Sequence, residues 1–119
     1  MILVDTSIWI DHFRENNKKL ITLLLNDQVL IHPFIIGELA CDHLKPRKEI
    51  LDLLHKLPKV SSASHEEVLT YLETDKLHGK GLGFIDIHLL ASAKLSKARL
   101  WTLDKILHHQ AETLHIHFS

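Results

Sequence analysis

Two short apolar runs in this chain end on an aspartate, and no other feature limits its folding as much. Ile2-Leu3-Val4 stops at Asp5, and Arg99-Leu100-Trp101-Thr102-Leu103 stops at Asp104. Short runs rich in β-branched and aromatic residues read as buried strands. Val29-Leu30-Ile31 reads the same way, Val60 marks a short fourth strand, and His115 to Phe118 a last one. Between the strands, apolar residues recur at helical spacing. Ile8, Trp9, Ile10 and Phe13 predict a short helix behind the capping types Thr6 and Ser7, and Leu20, Ile21, Leu24 and Leu25 a second ending near Asn26. Pro33 opens a helix running to about Leu44. Pro46 and Pro58 bracket a helix with Ile50, Leu53, Leu54 and Leu57 inward. Ser64-His65-Glu66-Glu67 fits a capping box before Val68, Leu69 and Leu72. Gly79 to Gly83 is a flexible loop, Phe84 to about Lys97 a helix, and Ile106-Leu107 a helical turn. Strands alternating with helices predict a mostly parallel sheet covered on both faces.

A length of 119 residues, with 45% hydrophobic and 24% charged side chains, fits one globular domain over residues 1–119. Cys41 is the only cysteine, so an internal disulfide and a cysteine-based zinc finger are both excluded. A reducing cytoplasm is the expected compartment. No apolar run approaches the ~20 residues that cross a bilayer, so no membrane association is expected. Asp5 interrupts the only apolar stretch near the N-terminus, which does not read as a signal peptide. A formal charge of −1 gives no sign of a nucleic-acid binder by itself.

Four carboxylates occupy unusual places. In a parallel sheet, ligands bind beyond the carboxyl ends of the strands, where Asp5 and Asp104 fall. Glu38 shares a helical stripe with Phe34, Ile35 and Cys41, and Asp86 shares one with Leu89, Leu90 and Ala93. Each acid alone has a plainer explanation. Asp5 can cap a helix, Asp86 can favour a helix dipole, and Asp104 can sit in a turn. As a set they point to a metal site. Converging carboxylates repel one another, and a divalent cation removes that cost. Hard oxygen donors without cysteine suit Mg²⁺ or Mn²⁺ better than zinc.

Four segments then carry a resemblance. Ile2-Leu3-Val4-Asp5-Thr6-Ser7-Ile8-Trp9-Ile10-Asp11, His32-Pro33-Phe34-Ile35-Ile36-Gly37-Glu38-Leu39-Ala40, Gly81 to Ala93, and Leu100-Trp101-Thr102-Leu103-Asp104-Lys105 together resemble the motifs of PIN-domain ribonucleases, specifically VapC-type toxins of type II toxin–antitoxin systems. The resemblance spans essentially the whole chain. It implies a PIN-like three-layer α/β/α sandwich with a central sheet of about four to five strands. It also implies that Asp5, Glu38, Asp86 and Asp104 bind Mg²⁺, with Mn²⁺ as a substitute, and that the hydroxyls of Ser7 and Thr102 support them. The implied reaction is hydrolysis of RNA, tRNA and rRNA loops both being compatible, to leave 5′-phosphate and 3′-hydroxyl ends. The implied partners are a second copy of the chain and a cognate VapB-like antitoxin. Asp42 departs from the pattern, standing where relatives often carry a small residue, and is expected to be solvated.

Other readings fit less well. A receiver domain needs a second acid beside Asp5, and a haloacid-type phosphatase needs one two residues later, where Ser7 stands. A metal-independent ribonuclease using two histidines and a lysine would keep its activity in EDTA. A PIN-like module that binds RNA or protein without cutting has no need of all four acids. Setting those acids aside moves the formal charge from −1 to +3. Lys45, Arg47, Lys48, Lys80, Lys94, Lys97, Arg99 and Lys105 are then candidates for phosphate contacts, though each alone reads as an ordinary solvated cation. Among the eleven histidines, His88 should point away from Asp86, and His108 and His109 belong to the surface. Trp9, Trp101 and Cys41 read as core residues.

Overall fold

The computed structural model describes all residues, 1–119. Three parallel strands form the sheet: β1 (Ile2–Val4), β2 (Val29–Leu30) and β3 (Arg99–Trp101), in the order β2-β1-β3. Ile2 and Leu3 pair with Val29 and Leu30 on one side, and Ile2, Leu3 and Val4 with Arg99, Leu100 and Trp101 on the other. One isolated parallel bridge extends the sheet at each edge, Ile31 to Lys59 and Leu100 to His117. Five segments therefore run side by side, within the predicted range, but the outer two are single bridges rather than strands. At one edge Pro58 has no N–H to continue a ladder and offers only its carbonyl, which accepts from Ile31 at 2.9 Å.

Seven helices connect and cover the strands: α1 (Thr6–Glu15), α2 (Lys18–Leu25), α3 (Pro33–Ala40), α4 (Arg47–Lys56), α5 (His65–Thr74), α6 (Phe84–Leu95) and α7 (Lys105–Thr113). Leu3, Val4, Ile31 and Leu100 are completely buried, as central parallel strands require. The core joins them to Ile8, Leu20, Ile35, Leu39, Leu90 and Leu107 from the helices. Helix α1 packs on α3, α3 on α4, α5 on α6, and α6 and α7 on β3.

Several boundaries differ from the sequence expectation. Helix α3 ends at Ala40, not near Leu44, because its last turn tightens through bonds from Cys41 N to Glu38 O and Asp42 N to Leu39 O. The Arg47 guanidinium then donates to the Ala40 carbonyl (2.6 Å) and to the Asp42 carbonyl (3.0 Å), which also accepts the Leu44 amide. Cys41 consequently lies exposed at the helix end, correcting its assignment to the core. Ile106-Leu107 is part of a nine-residue helix, with Leu107, Gln110 and Ala111 buried along one stripe. Trp9 and Trp101 do pack inward, Trp101 edge-on to Phe118 at 5.3 Å.

Candidate active site

The site begins where the two central strands end. Asp5 follows β1 and Thr102 follows β3, and the Asp5 amide donates to the Trp101 carbonyl at 2.9 Å. Parallel pairing thus brings the two residues side by side, although 97 positions separate them in the chain.

Asp5 is 8% exposed and thoroughly held. Its Oδ1 accepts the Thr6 amide at 2.8 Å, which makes Asp5 the N-cap of α1 in place of Thr6 or Ser7. Its Oδ2 accepts two hydroxyls, Thr102 Oγ1 at 2.6 Å and Ser7 Oγ at 3.1 Å. Each hydroxyl has one proton, so each uses its lone pairs elsewhere. Thr102 Oγ1 accepts the Asp104 amide at 3.0 Å, and Ser7 Oγ accepts the Leu103 amide at 3.0 Å. The two hydroxyls therefore fasten the start of α1 to the segment after β3.

That segment carries Asp104, the N-cap of α7. Its Oδ1 accepts the amides of Ile106 (2.9 Å) and Leu107 (3.0 Å). Glu38 arrives from α3, where His32 Nδ1 caps the helix by accepting the Phe34 amide at 2.9 Å. Thr6 Oγ1 donates to Glu38 Oε1 at 2.7 Å and so ties Glu38 to the residue after Asp5. Asp86 lies in the first turn of α6, with Oδ2 accepting the Gly83 amide at 3.0 Å. The preceding loop passes beside α7. Gly81 has φ +78°, and a Cβ there would meet the Ile106 side chain at 3.6 Å.

Burial pushes the Asp86 carboxyl above its ordinary range. The Gly83 amide opposes this, while Asp104 and Asp5 push further upward. Three of the four sequence-predicted acids are therefore close enough to repel one another, and Thr6 ties the fourth to them. The plainer roles also hold, since Asp5 and Asp104 do cap helices and Asp86 does bond to its own first turn. Those roles leave Asp86 Oδ1, Asp104 Oδ2 and Glu38 Oε2 without a hydrogen bond.

No three of the molecule's histidine, cysteine, aspartate and glutamate side chains close into a ready-made metal cage. Carboxylates without a counter-ion stay apart, and Mg²⁺ needs only one or two of them directly because it keeps several waters. The donor set consists of hard oxygens with free lone pairs facing mutual repulsion, and it fits such an ion.

Thr6 was missed as a site residue from sequence. Its link to Glu38 crosses 32 positions, and nothing local distinguishes it from an ordinary capping threonine. Asp42 is exposed as expected. His88 is buried, with its ring edge-on to Phe34 at 4.8 Å and Phe84 at 4.7 Å. Of the eight candidate cations, four have intramolecular partners. Arg47 caps α3, Lys48 pairs with Asp52, Lys94 faces Asp75 and the Tyr71 ring, and Arg99 donates to the His117 carbonyl.

The PIN domain family profile matches residues 2–112, and this chain belongs to that family. It is 46% identical over 108 residues to Ribonuclease VapC32 of Mycobacterium tuberculosis, in two strains, covering 90% of this chain and 87% of that one. The fold matches the crystal structure of FitAcB from Neisseria gonorrhoeae with a TM-score of 0.61 at 18% identity, covering 94% of each chain. It also matches PAE2754 from Pyrobaculum aerophilum with a TM-score of 0.62 at 18% identity, covering 95% of this chain and 85% of that one.

Proposed function

We propose that this chain, as a single PIN domain over residues 1–119, is a VapC-type endoribonuclease toxin that hydrolyses RNA phosphodiester bonds and so arrests translation and growth. One observation carries the reading: half-buried Asp86 is destabilised as an anion by desolvation first and then by Asp104 and Asp5, in a chain 46% identical to a ribonuclease. PIN ribonucleases depend on divalent metal. Here Asp5, Glu38, Asp86 and Asp104 would hold Mg²⁺, or Mn²⁺ in its place. Held there, such an ion would supply an activated water near neutral pH and neutralise charge on the scissile phosphate.

The chain's own residues set the geometry. Thr102 and Ser7 orient Asp5 through two donated hydroxyl protons, and Thr6 fixes the reach of Glu38. Asp86 projects from a helix whose entry loop passes beside α7, with Gly81 next to the Ile106 side chain. A carboxylate of the site would help to take the proton of the attacking water. No side-chain nucleophile is required. Products with 5′-phosphate and 3′-hydroxyl ends are expected, from tRNA or rRNA in the cytoplasm. A VapB-like antitoxin would oppose the activity by presenting Arg or Lys to the acids, and the working unit would be a homodimer.

The test is 5′-end sequencing of RNA treated with the purified protein in Mg²⁺, beside EDTA and Asp86→Asn controls. Cleavage at defined positions, lost in both controls, is the expected result. Cleavage that survives EDTA would point to a histidine-based ribonuclease. No cleavage under any condition would leave a binding module.

A further inference from the structure

Beside the acids lies a second concavity of about 410 Å³, which the carboxylate chemistry does not use. Thr102 is common to both. Its hydroxyl bonds Asp5 on the site side, while the residue also lines this pocket with Trp101, Leu103, Lys105, His108, His109, Glu112 and Phe118. The volume is in the range of small-ligand pockets. Its lining is mixed rather than apolar. The Trp101 and Phe118 rings meet edge-on at 5.3 Å, and Lys19 Nζ lies 5.4 Å from the Phe118 ring centre. Lys105 follows Asp104 directly and takes part in none of the molecule's ion pairs. The Glu112 carboxylate is half-exposed, with His108 Nε2 at 3.8 Å, too far for a hydrogen bond.

Aromatic and imidazole rings, one solvated ammonium and one solvated carboxylate suit a nucleotide with its base turned out of a stack. A carboxylate recognises a base through the base's own N–H groups. Guanine offers two such donors side by side on its pairing edge, matching both oxygens of Glu112. We propose that this pocket seats an unstacked guanine of the RNA next to the scissile phosphate, with Glu112 reading its N–H edge, His109 flanking the ring and Lys105 meeting the adjoining phosphate. The inference rests on the ribonuclease reading above and adds a specificity determinant to it. It requires a single-stranded substrate, because a paired guanine has its N–H edge occupied.

The experiment compares 5′-end profiles of wild type, Glu112→Ala and His109→Ala in Mg²⁺, on a synthetic RNA pool with randomised single-stranded loops. Asp86→Asn serves as the blank, and melting curves check that each variant is folded. Wild type is expected to favour guanine at one fixed position beside the cut. Glu112→Ala is expected to lose that preference by ~10-fold or more while still cleaving, and His109→Ala to cut more slowly at every site with the preference kept. A wild-type profile without preference at any adjoining position, or an unchanged guanine preference in Glu112→Ala, overturns the pocket assignment and leaves the ribonuclease standing. The same holds if the variants keep their profile but loosen an antitoxin, which would make the pocket a protein contact. Absence of cleavage by wild type removes the ribonuclease reading and this inference with it.

Discussion

The Thr102 hydroxyl donates to Asp5 and accepts from the Asp104 amide, so one side chain couples two of the four acids. Thr102→Val keeps the shape and removes both bonds. RNA cleavage should fall by ~10- to 100-fold, since small misplacements of catalytic groups cost that much. Thr102→Ser should keep most of the rate, and equal rates for the valine and serine variants would contradict the coupling. His32 supports a second prediction at this scale. Its Nδ1 caps α3, and its Nε2 is buried without a partner. Burial first, then nearby His88, pushes its pKa down to about 4. The unfolded chain takes up this proton near pH 6.5, the folded protein only near 4. The stabilisation is therefore complete above pH 6.5 and lost as pH falls towards 4. Urea unfolding at pH 7 and pH 5 should differ by about 2 kcal/mol from this residue. His32→Asn, which keeps a capping oxygen, should flatten that dependence. At this scale the sequence was legible where chemistry is local, as in an acid ending an apolar run. Thr6 was not legible, because a hydroxyl's partner across the fold leaves no mark beside it, and Thr102 was named only through the family resemblance.

Among the elements, α5 is the one whose sequence signature reappears most completely. Ser64 Oγ accepts the Glu67 amide at 3.1 Å, and Glu67 accepts the Ser64 amide at 2.9 Å. Ser64→Ala should cost about 1 kcal/mol and lower Tm by about 4 °C. Cleavage at ambient temperature should stay unchanged, because α5 carries none of the four acids. A proportionate loss of activity in a calorimetrically folded variant would contradict that separation. Helix α7 was harder to read. Its apolar stripe of Leu107, Ala111 and Leu114 is diluted by His108, His109 and Gln110, so only one turn stood out. The end of α3 was hidden for a different reason, since the cation that caps it is Arg47, beyond Pro46. The three central strands were clear, because a buried parallel strand has to be a continuous apolar run, whereas the strands expected at Val60 and His115 to Phe118 are single bridges at Lys59 and His117.

For the whole molecule, Asp86 sits in a field set by its desolvation first and then by Asp104 and Asp5. Ionised Asp86 pays for its burial beside Asp5 and Asp104, so replacing it with the isosteric amide should relieve strain in the absence of metal. In EDTA at pH 7, Asp86→Asn is expected to melt at or above the wild-type temperature, since the amide oxygen can still accept the Gly83 N–H. Excess Mn²⁺ should raise the wild-type Tm, since it binds only the folded acids, and should raise the variant's far less. A variant that melts lower in EDTA and gains as much from Mn²⁺ would contradict the shared field. The parallel sheet makes this field possible by carrying β1 and β3 to the same edge and leaving helices to bring Glu38 and Asp86 up to it. The most direct measurement is anomalous diffraction from crystals soaked in Mn²⁺. A peak is expected between Asp5, Asp86 and Asp104, within water-bridged reach of Glu38. An empty map there, with the four side chains held as they are without metal, would contradict the proposal that these acids form a metal-dependent nuclease centre.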